Sequence, residues 1–354
     1  MRPTVKPAVR VLWRDLRTVQ FGVDPERALV VGGVDGAVGR LLRALDGTRT
    51  DRELQAYGRE LGVDGAVTRR LLQWLGQARV VDDAARPPAA SVVPPDDQDR
   101  LEPDLAVLSL LSDEPDGGAS LLLRRRSARV QVIGAGRVGA TVAALLVAAG
   151  VGHVAVDDPS PVTPADCAPG GLGRRDVGSL RADAVRRRLH AISPSVRTDP
   201  IRGRRKIVVL APPGPFDATV GDGPLREGVP HLLAFLRERS AVVGPLVLPG
   251  ESPCLRCLDL HRAGRDPAWP LLAAQLATGG PGAKAAGDVV TATLLASVCA
   301  LQVLGFIEGR RPATVGATLQ LTLPDWRLRR RRWSLHPSCG CTWPAGEGAG
   351  FDAG

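Results

Sequence analysis

Val130-Gln131-Val132-Ile133-Gly134-Ala135-Gly136-Arg137-Val138-Gly139 is the stretch that decides the fold. Val130–Ile133 reads as a buried strand, and Val138–Ala149 continues with helical apolar spacing. Between them lies a GxGxxG loop. Val154-Ala155-Val156 forms the next strand and ends in Asp157-Asp158. Strand, glycine loop, helix, strand and acid, in that order, describe a mononucleotide-binding β-α-β unit. Gly134 permits the tight turn and Gly136 lets a phosphate approach the backbone, while Gly139 completes the pattern. The helix N-terminus attracts negative charge. Asp157, 23 residues beyond Gly134, is placed to accept hydrogen bonds from ribose hydroxyls. Taken alone, the loop also suits a β-α-β unit that has lost its ligand.

The pattern around this unit is α/β from Leu105 onward. Arg181–Ala191 is predicted to be helical, Ile207–Leu210 and Val242–Leu248 to be strands; Leu121–Arg126 suits either state. Further on stand Cys254-Leu255-Arg256-Cys257 and Cys339-Gly340-Cys341. Two close pairs of thiolates make a closed tetrahedral sulfur site, the donor set of structural zinc. The second pair is one residue shorter than usual, and His261 or His336 could replace a cysteine that does not reach. Cys167 and Cys299 are left over.

Upstream, Arg10–Trp13, Thr18–Gly22 and Ala28–Val31 are short apolar stretches separated by turn residues, and they predict a small antiparallel sheet. Three helical patterns follow. Val38, Leu41, Leu42 and Leu45 share one face. Thr50 and Glu53 form a capping box ahead of Leu54, Tyr57 and Leu61. Asp64 caps a third helix buried through Val67, Leu71, Leu72 and Leu75. A short strand, Arg79–Val81, closes a winged-helix-like α+β domain over residues 1–83. Residues 84–104 hold five prolines and little periodicity, which predicts a linker.

The net charge of +9 invites a nucleic-acid reading. Of the 46 basic residues only Lys6, Lys206 and Lys284 are lysines, a skew that reflects coding bias more than a designed basic face. No aromatic-plus-basic recognition motif accompanies the charge, so nucleic acid is not expected as a partner. Val289–Ile307 is long and apolar enough to span a membrane. Its isolation and its Thr291, Thr293, Ser297 and Gln302 favour a buried helix instead. The N-terminus lacks the apolar core of a signal peptide and the cysteines do not form a secreted framework, so a cytoplasmic location is expected.

Two resemblances sharpen this reading. The stretch LLRALDGTRTDRELQAYGRELG, followed by a helix and then ARVVDD, resembles PqqD-like peptide recognition elements. That resemblance implies leader-peptide binding along a sheet edge at Leu29 and Val31, beside a helix presenting Arg69, Arg70 and Gln73. A DNA-binding winged helix is the alternative use of the same helix. After Asp157, the run Gly171-Leu172-Gly173-Arg174-Arg175-Asp176-Val177-Gly178-Ser179-Leu180-Arg181, then Ile192-Ser193-Pro194, resembles the crossover of the ThiF/MoeB/HesA superfamily. This resemblance covers residues 105–354 as a Rossmann-like ThiF-type domain with a four-cysteine zinc site.

The second resemblance implies ATP and magnesium, with adenylation of a carboxylate on a peptide or a ubiquitin-like carrier protein. Arg174 stands at the family's phosphate-contacting arginine, and Arg181 stands where the family has a lysine. Other positions depart: the family's Asn is Gly171, its Gln is Arg175, and Leu210-Ala211-Pro212-Pro213-Gly214-Pro215 lacks the acids of Asp-x-x-Asp-Asn. Magnesium prefers carboxylates, so these losses point away from adenylation. The combination resembles ThiF-like partners that present a precursor peptide to a YcaO-type cyclodehydratase in azoline-forming pathways. The family also implies a homodimer.

Overall fold

The structure is a computed structural model that describes residues 1–212, 217–278 and 287–342. The chain divides into two compact units, Met1–Arg124 and Arg125–Gly354.

In the first unit β1 (Pro3–Val5) precedes an antiparallel sheet of β2 (Val11–Asp15), β3 (Thr18–Phe21) and β4 (Leu29–Val31). Helices α1 (Gly36–Arg43), α2 (Asp51–Glu60) and α3 (Gly65–Gln77) follow, and β5 (Val81–Asp83) returns to pair with β1. Each helix starts where a side chain satisfies its free N–H groups. Asp35 accepts from Ala37 and Val38, Asp64 accepts from Ala66 and Val67, and Thr50 with Glu53 closes the expected capping box. Val19, Phe21, Val31, Leu41, Leu54, Leu71 and Leu75 form one core.

Residues 84–104 are not the structureless linker that their prolines predict. Helix α4 (Pro95–Leu111) covers their second half, with Pro95 in its first turn. Leu101 and Leu108 are buried. The helix belongs to the first unit because it completes a buried polar cluster. Lys6 Nζ lies 3.4 Å from Asp82 Oδ1 and donates to the Ser109 carbonyl, and Ser109 Oγ donates to Asp82 Oδ2 at 2.6 Å. A buried ammonium needs such partners, and Ser109 comes from α4. The compact unit accordingly runs to Arg124, past both the expected domain end at residue 83 and the expected linker end at residue 104. α5 (Ala119–Ser127) settles the open segment at 121–126 as a helix.

The second unit is built on a seven-stranded sheet in the order β12-β11-β10-β9-β8-β6-β7. β6 (Arg129–Ile133), β7 (His153–Asp157), β8 (Ile207–Leu210) and β9 (His231–Arg237) are parallel. β10 (Ser240–Val247), β11 (Ala317–Thr322) and β12 (Arg327–Arg332) extend the sheet as an antiparallel meander. Helices α6 (Arg137–Ala148) and α11 (Val289–Ile307) pack together, and α11 also meets β9 and β10. α11 is the one described helix long and apolar enough to cross a membrane. Its Leu295, Cys299 and Val303 are instead buried in the core of this unit. α7 (Arg181–Ile192) follows the crossover, α8 (Asp222–Arg226) precedes β9, and α9 (Leu255–Ala263) and α10 (Trp269–Thr278) lie between β10 and α11 in sequence. Burial on both faces explains why the parallel strands read as short apolar runs.

Candidate nucleotide loop and metal centre

The glycine loop sits where the sequence places it, between β6 and α6. Gly134 has φ +89°, and a Cβ there would lie 2.2 Å from the Ala211 carbonyl oxygen. A Cβ on Gly139 would lie 1.9 Å from the Gly134 carbonyl oxygen. Both positions therefore require glycine for close backbone approach. Gly136 is the N-cap of α6 and supplies no side-chain cap, so the helix opens with N–H groups available to an anion.

Asp157 ends β7 with an exposed side chain. Its carbonyl accepts from the Gly134 N–H at 2.9 Å, which joins the strand end to the loop. Beside it lies a cavity of about 350 Å³ lined by Asp157, Val156, Arg186, Thr198, Ile201 and Arg205. That volume is within the range of small-molecule sites.

The next residue behaves differently. Asp158 is buried, and its Oδ2 accepts from the Ala135 N–H at 2.7 Å while Oδ1 accepts from the Ser160 N–H at 2.9 Å. Arg181 reaches the same carboxylate at 3.2 Å and makes a close fork to Asp166, with Nη2 at 2.8 Å from both oxygens. Burial pushes the Asp158 carboxyl up, but the Ala135 and Ser160 bonds and Arg181 outweigh it and hold it below the ordinary carboxylate range. Thus Arg181, expected to face phosphates, is turned inward and shared by two acids. Arg174 and Arg175 are exposed in the short turn after Gly173. Among the described residues neither makes an ion pair.

Gly171, where the resemblance expects Asn, rests against α6. A Cβ there would lie 2.8 Å from Thr141 Oγ1, so a larger side chain would displace that hydroxyl. Pro213–Pro215 lie outside the described residues. Before them, Ala211 N–H donates to the Ile133 carbonyl at 2.8 Å. After them, Asp217 is engaged locally, accepting from Thr219 N–H at 2.9 Å and from its hydroxyl at 2.6 Å.

The four motif cysteines converge although 85 residues separate Cys254 from Cys339. Their sulfurs all lie within 4.8 Å of one another. Cys254 Sγ is 3.4 Å from Cys339 Sγ and 3.9 Å from Cys257 Sγ, and Cys257 Sγ is 3.5 Å from Cys341 Sγ. Sulfurs around one tetrahedral zinc stand about 3.8 Å apart, given Zn–S bonds of about 2.3 Å. The donor set therefore fits zinc. Cys254 caps α9, and Gly340, at φ +75°, folds the shortened Cys-x-Cys back on itself. The His336 N–H donates to Cys257 Sγ at 3.4 Å. His261 Nε2 contacts the Ser334 carbonyl at 3.0 Å and His336 Nδ1 accepts from the Ser338 N–H at 3.2 Å, so both rings are engaged elsewhere and the cluster is the four cysteines. Burial raises the Cys254 thiol and pushes Cys339 up to about 11. Cys299 is wholly buried and raised to about 12, an inert core thiol. Cys167 is partly exposed in the crossover.

In the first unit, Arg69 and Gln73 line a cleft of about 350 Å³ with Met1, Pro3, Asp51 and Gln55. Leu29 and Val31 lie on β4, an edge of the three-stranded sheet, and Arg70 projects to solvent. The expected peptide residues thus divide between a sheet edge and a cleft. Val67 and Trp74, each 49% exposed on α3, flank Arg70 at helical spacing. Sequence reading assigned Val67 to the core; only the packing reveals its exposure.

Comparisons with known proteins agree with the fold. The ThiF family model matches residues 113–208, which contain the glycine loop and the crossover. No curated protein is similar enough in sequence to match. Escherichia coli MccB solved with ATP has the same fold, with TM-score 0.73 and 15% identity, over 97% of this chain and 100% of that one. The microcin C7 biosynthetic enzyme MccB in complex with N-formylated MccA gives 0.72 and 15% over 97% and 100%. PaaA gives 0.70 and 19% over 93% and 100%. The chain thus carries a ThiF-family segment at its glycine loop, set in a ThiF-type α/β fold.

Proposed function

We propose that this protein is a ThiF-like component of modified-peptide biosynthesis that binds a precursor leader peptide and presents it to a partner enzyme. A YcaO-type cyclodehydratase is the partner class. The first unit, residues 1–83 with α4, acts as the peptide recognition domain, using the β4 edge at Leu29 and Val31 and the α3 residues Arg69, Arg70 and Gln73. Adenylation is degenerate. The observation that carries this reading is the inward-turned Arg181, held by Asp158 and Asp166. Charge developing on a leaving pyrophosphate needs free cations. A guanidinium already shared by two buried acids is spent on the fold. The absence of an acid in Leu210–Pro215 points the same way.

The four cysteines hold a structural zinc, and the homodimer forms through the exposed side of α11, where Val290, Leu294 and Leu301 lie. The protein works in the cytoplasm. Binding of a labelled precursor by the full chain, together with an absence of ATP–pyrophosphate exchange, tests the proposal. Failure to bind any precursor encoded beside the gene would overturn it.

A second reading is an active adenylyltransferase acting on a peptide carboxylate, with ATP and magnesium. It is favoured by the likeness to MccB over nearly the whole chain, since MccB is solved with ATP and with MccA. In that case Asp157 holds the ribose, Gly134, Gly136 and Gly139 frame the phosphates, and Arg174 supplies the cation. Exchange that disappears in Arg174→Ala establishes this reading and removes the first.

A further inference from the structure

The second unit ends its sheet on an unusual strand. β12 is Arg-Leu-Arg-Arg-Arg-Arg, residues Arg327–Arg332, and all six residues are exposed. It pairs with β11 on one side and is an edge of the seven-stranded sheet. Average composition would put about one arginine or fewer in six residues, and here there are five.

The register assigns the charges to faces. Arg327, Arg329 and Arg331 stand opposite Thr322, Gln320 and Thr318, so these three point to one face. The row through Arg327 and Thr322 continues across Ser240 to Arg237. Trp333, which follows the strand, donates from Nε1 to Thr318 Oγ1 at 3.1 Å. Its ring carries Arg331 at 4.1 Å and Arg265 at 5.9 Å. One face of the edge therefore gathers Arg237, Arg265, Arg327, Arg329 and Arg331. Asp259, the acid on the neighbouring α9, is engaged by Arg262 at 2.9 Å. Among the described residues, no hydrogen bond or ion pair engages the side chains of Arg327, Arg329 or Arg332.

We propose that the free edge of β12 is a docking strand for an extended acidic polypeptide segment. Among the described residues, the outer side of β12 pairs with no other strand, so it offers a row of backbone donors and acceptors that another strand can match. Arg327, Arg329 and Arg331 recur at alternate positions along that row, so a strand bearing Glu or Asp at alternate positions, all on the same face, meets them. One charge is enough to discourage casual pairing. A repeated charge of one sign also selects an oppositely charged partner. A second copy of this strand is disfavoured, because two such edges repel. Nucleic acid shares the charge complementarity but offers no row of peptide groups, and the observations favour polypeptide for that reason. This surface is independent of the glycine loop and of the peptide elements of the first unit.

The test uses the full-length protein and a fluorescent octapeptide of alternating Glu and Val, read by anisotropy. Saturable, salt-sensitive binding is expected. Arg329→Glu with Arg331→Glu should weaken it at least about tenfold, while circular dichroism confirms that the variant is folded. The same peptide N-methylated at its Val amides keeps its charge and loses backbone pairing, and should also bind about tenfold more weakly. Equal binding of both peptides reduces the site to a diffuse basic patch and overturns the proposal. So does tighter binding of a DNA oligonucleotide of equal charge, or no binding of the peptide. Sedimentation completes the set: a wild-type dimer broken by the charge reversal would make this edge a self-interface and overturn the proposal as well.

Discussion

The sulfur cluster and the glycine loop are both short motifs in the same unit, yet the fold treats them in opposite ways. At the sulfur cluster four donors converge, and apart from the His336 N–H on Cys257 they face one another. Beside the glycine loop, cation and acid meet within the chain: Arg181 is bound to Asp158 and Asp166, and Asp158 takes the Ala135 N–H. The first arrangement is a donor set of the kind a structural metal would complete. The second is a closed polar network that is satisfied without a ligand, which buried polar groups require. A motif therefore names the scaffold, and the partners its side chains find decide whether an outside ligand is needed.

Metal removal should have the largest effect. Cys257→Ser, or chelation, should abolish one equivalent of zinc by elemental analysis and cost at least about 5 kcal/mol, since structural zinc sites contribute about 10–16 kcal/mol in isolated peptides. An unchanged melt after chelation would break the comparison at its stronger side. Arg181→Ala comes next. If the guanidinium serves the fold, its loss leaves two buried carboxylates unpaired and costs about 3–5 kcal/mol by denaturant titration. If it serves phosphates, stability is retained and nucleotide affinity falls instead.

Gly139→Ala should destabilise the second unit by about 3 kcal/mol, because the new methyl meets the Gly134 carbonyl at 1.9 Å and overpacking at that distance forces backbone movement. The smallest expected effect concerns pH. The Asp158 carboxyl is held below its unfolded value of about 3.9, so its contribution is present above that pH. It is lost as pH falls through the lower folded value. Wild type should keep this contribution down to about pH 4, whereas Arg181→Ala should shift the acid unfolding midpoint upward, as circular dichroism would show.

Much of the second unit was legible in the sequence. Val130–Ile133, the glycine pattern and Val154–Asp157 are local signals whose periodicity and turn chemistry survive in β6, α6 and β7. The capping box at Thr50 and Glu53 is equally local, and it formed as expected. The cysteine pairs were legible because metal donors need fixed spacing, even when 85 residues separate the pairs. What escaped depended on distant partners. α4 looked like a linker because prolines and acids dominate it; Lys6 and Asp82 make Ser109 part of a core. Arg181 looked like a phosphate ligand because charge is visible in a sequence and direction is not.

The sequence by itself determined the strand, loop, helix and strand order around the glycine loop, the glycine positions that tolerate no Cβ, and the four sulfurs available to a metal. These follow from backbone geometry and from the chemistry of single residues. Only the tertiary structure decided which charges remain open to a ligand: Arg181 closed on two acids, Val67 and Trp74 left in solvent, and the arginines of β12 placed on the end strand of the sheet. The physical reason is that a charge or an apolar surface takes its role from what lies within a few ångströms of it, and folding brings together residues that are far apart in the chain.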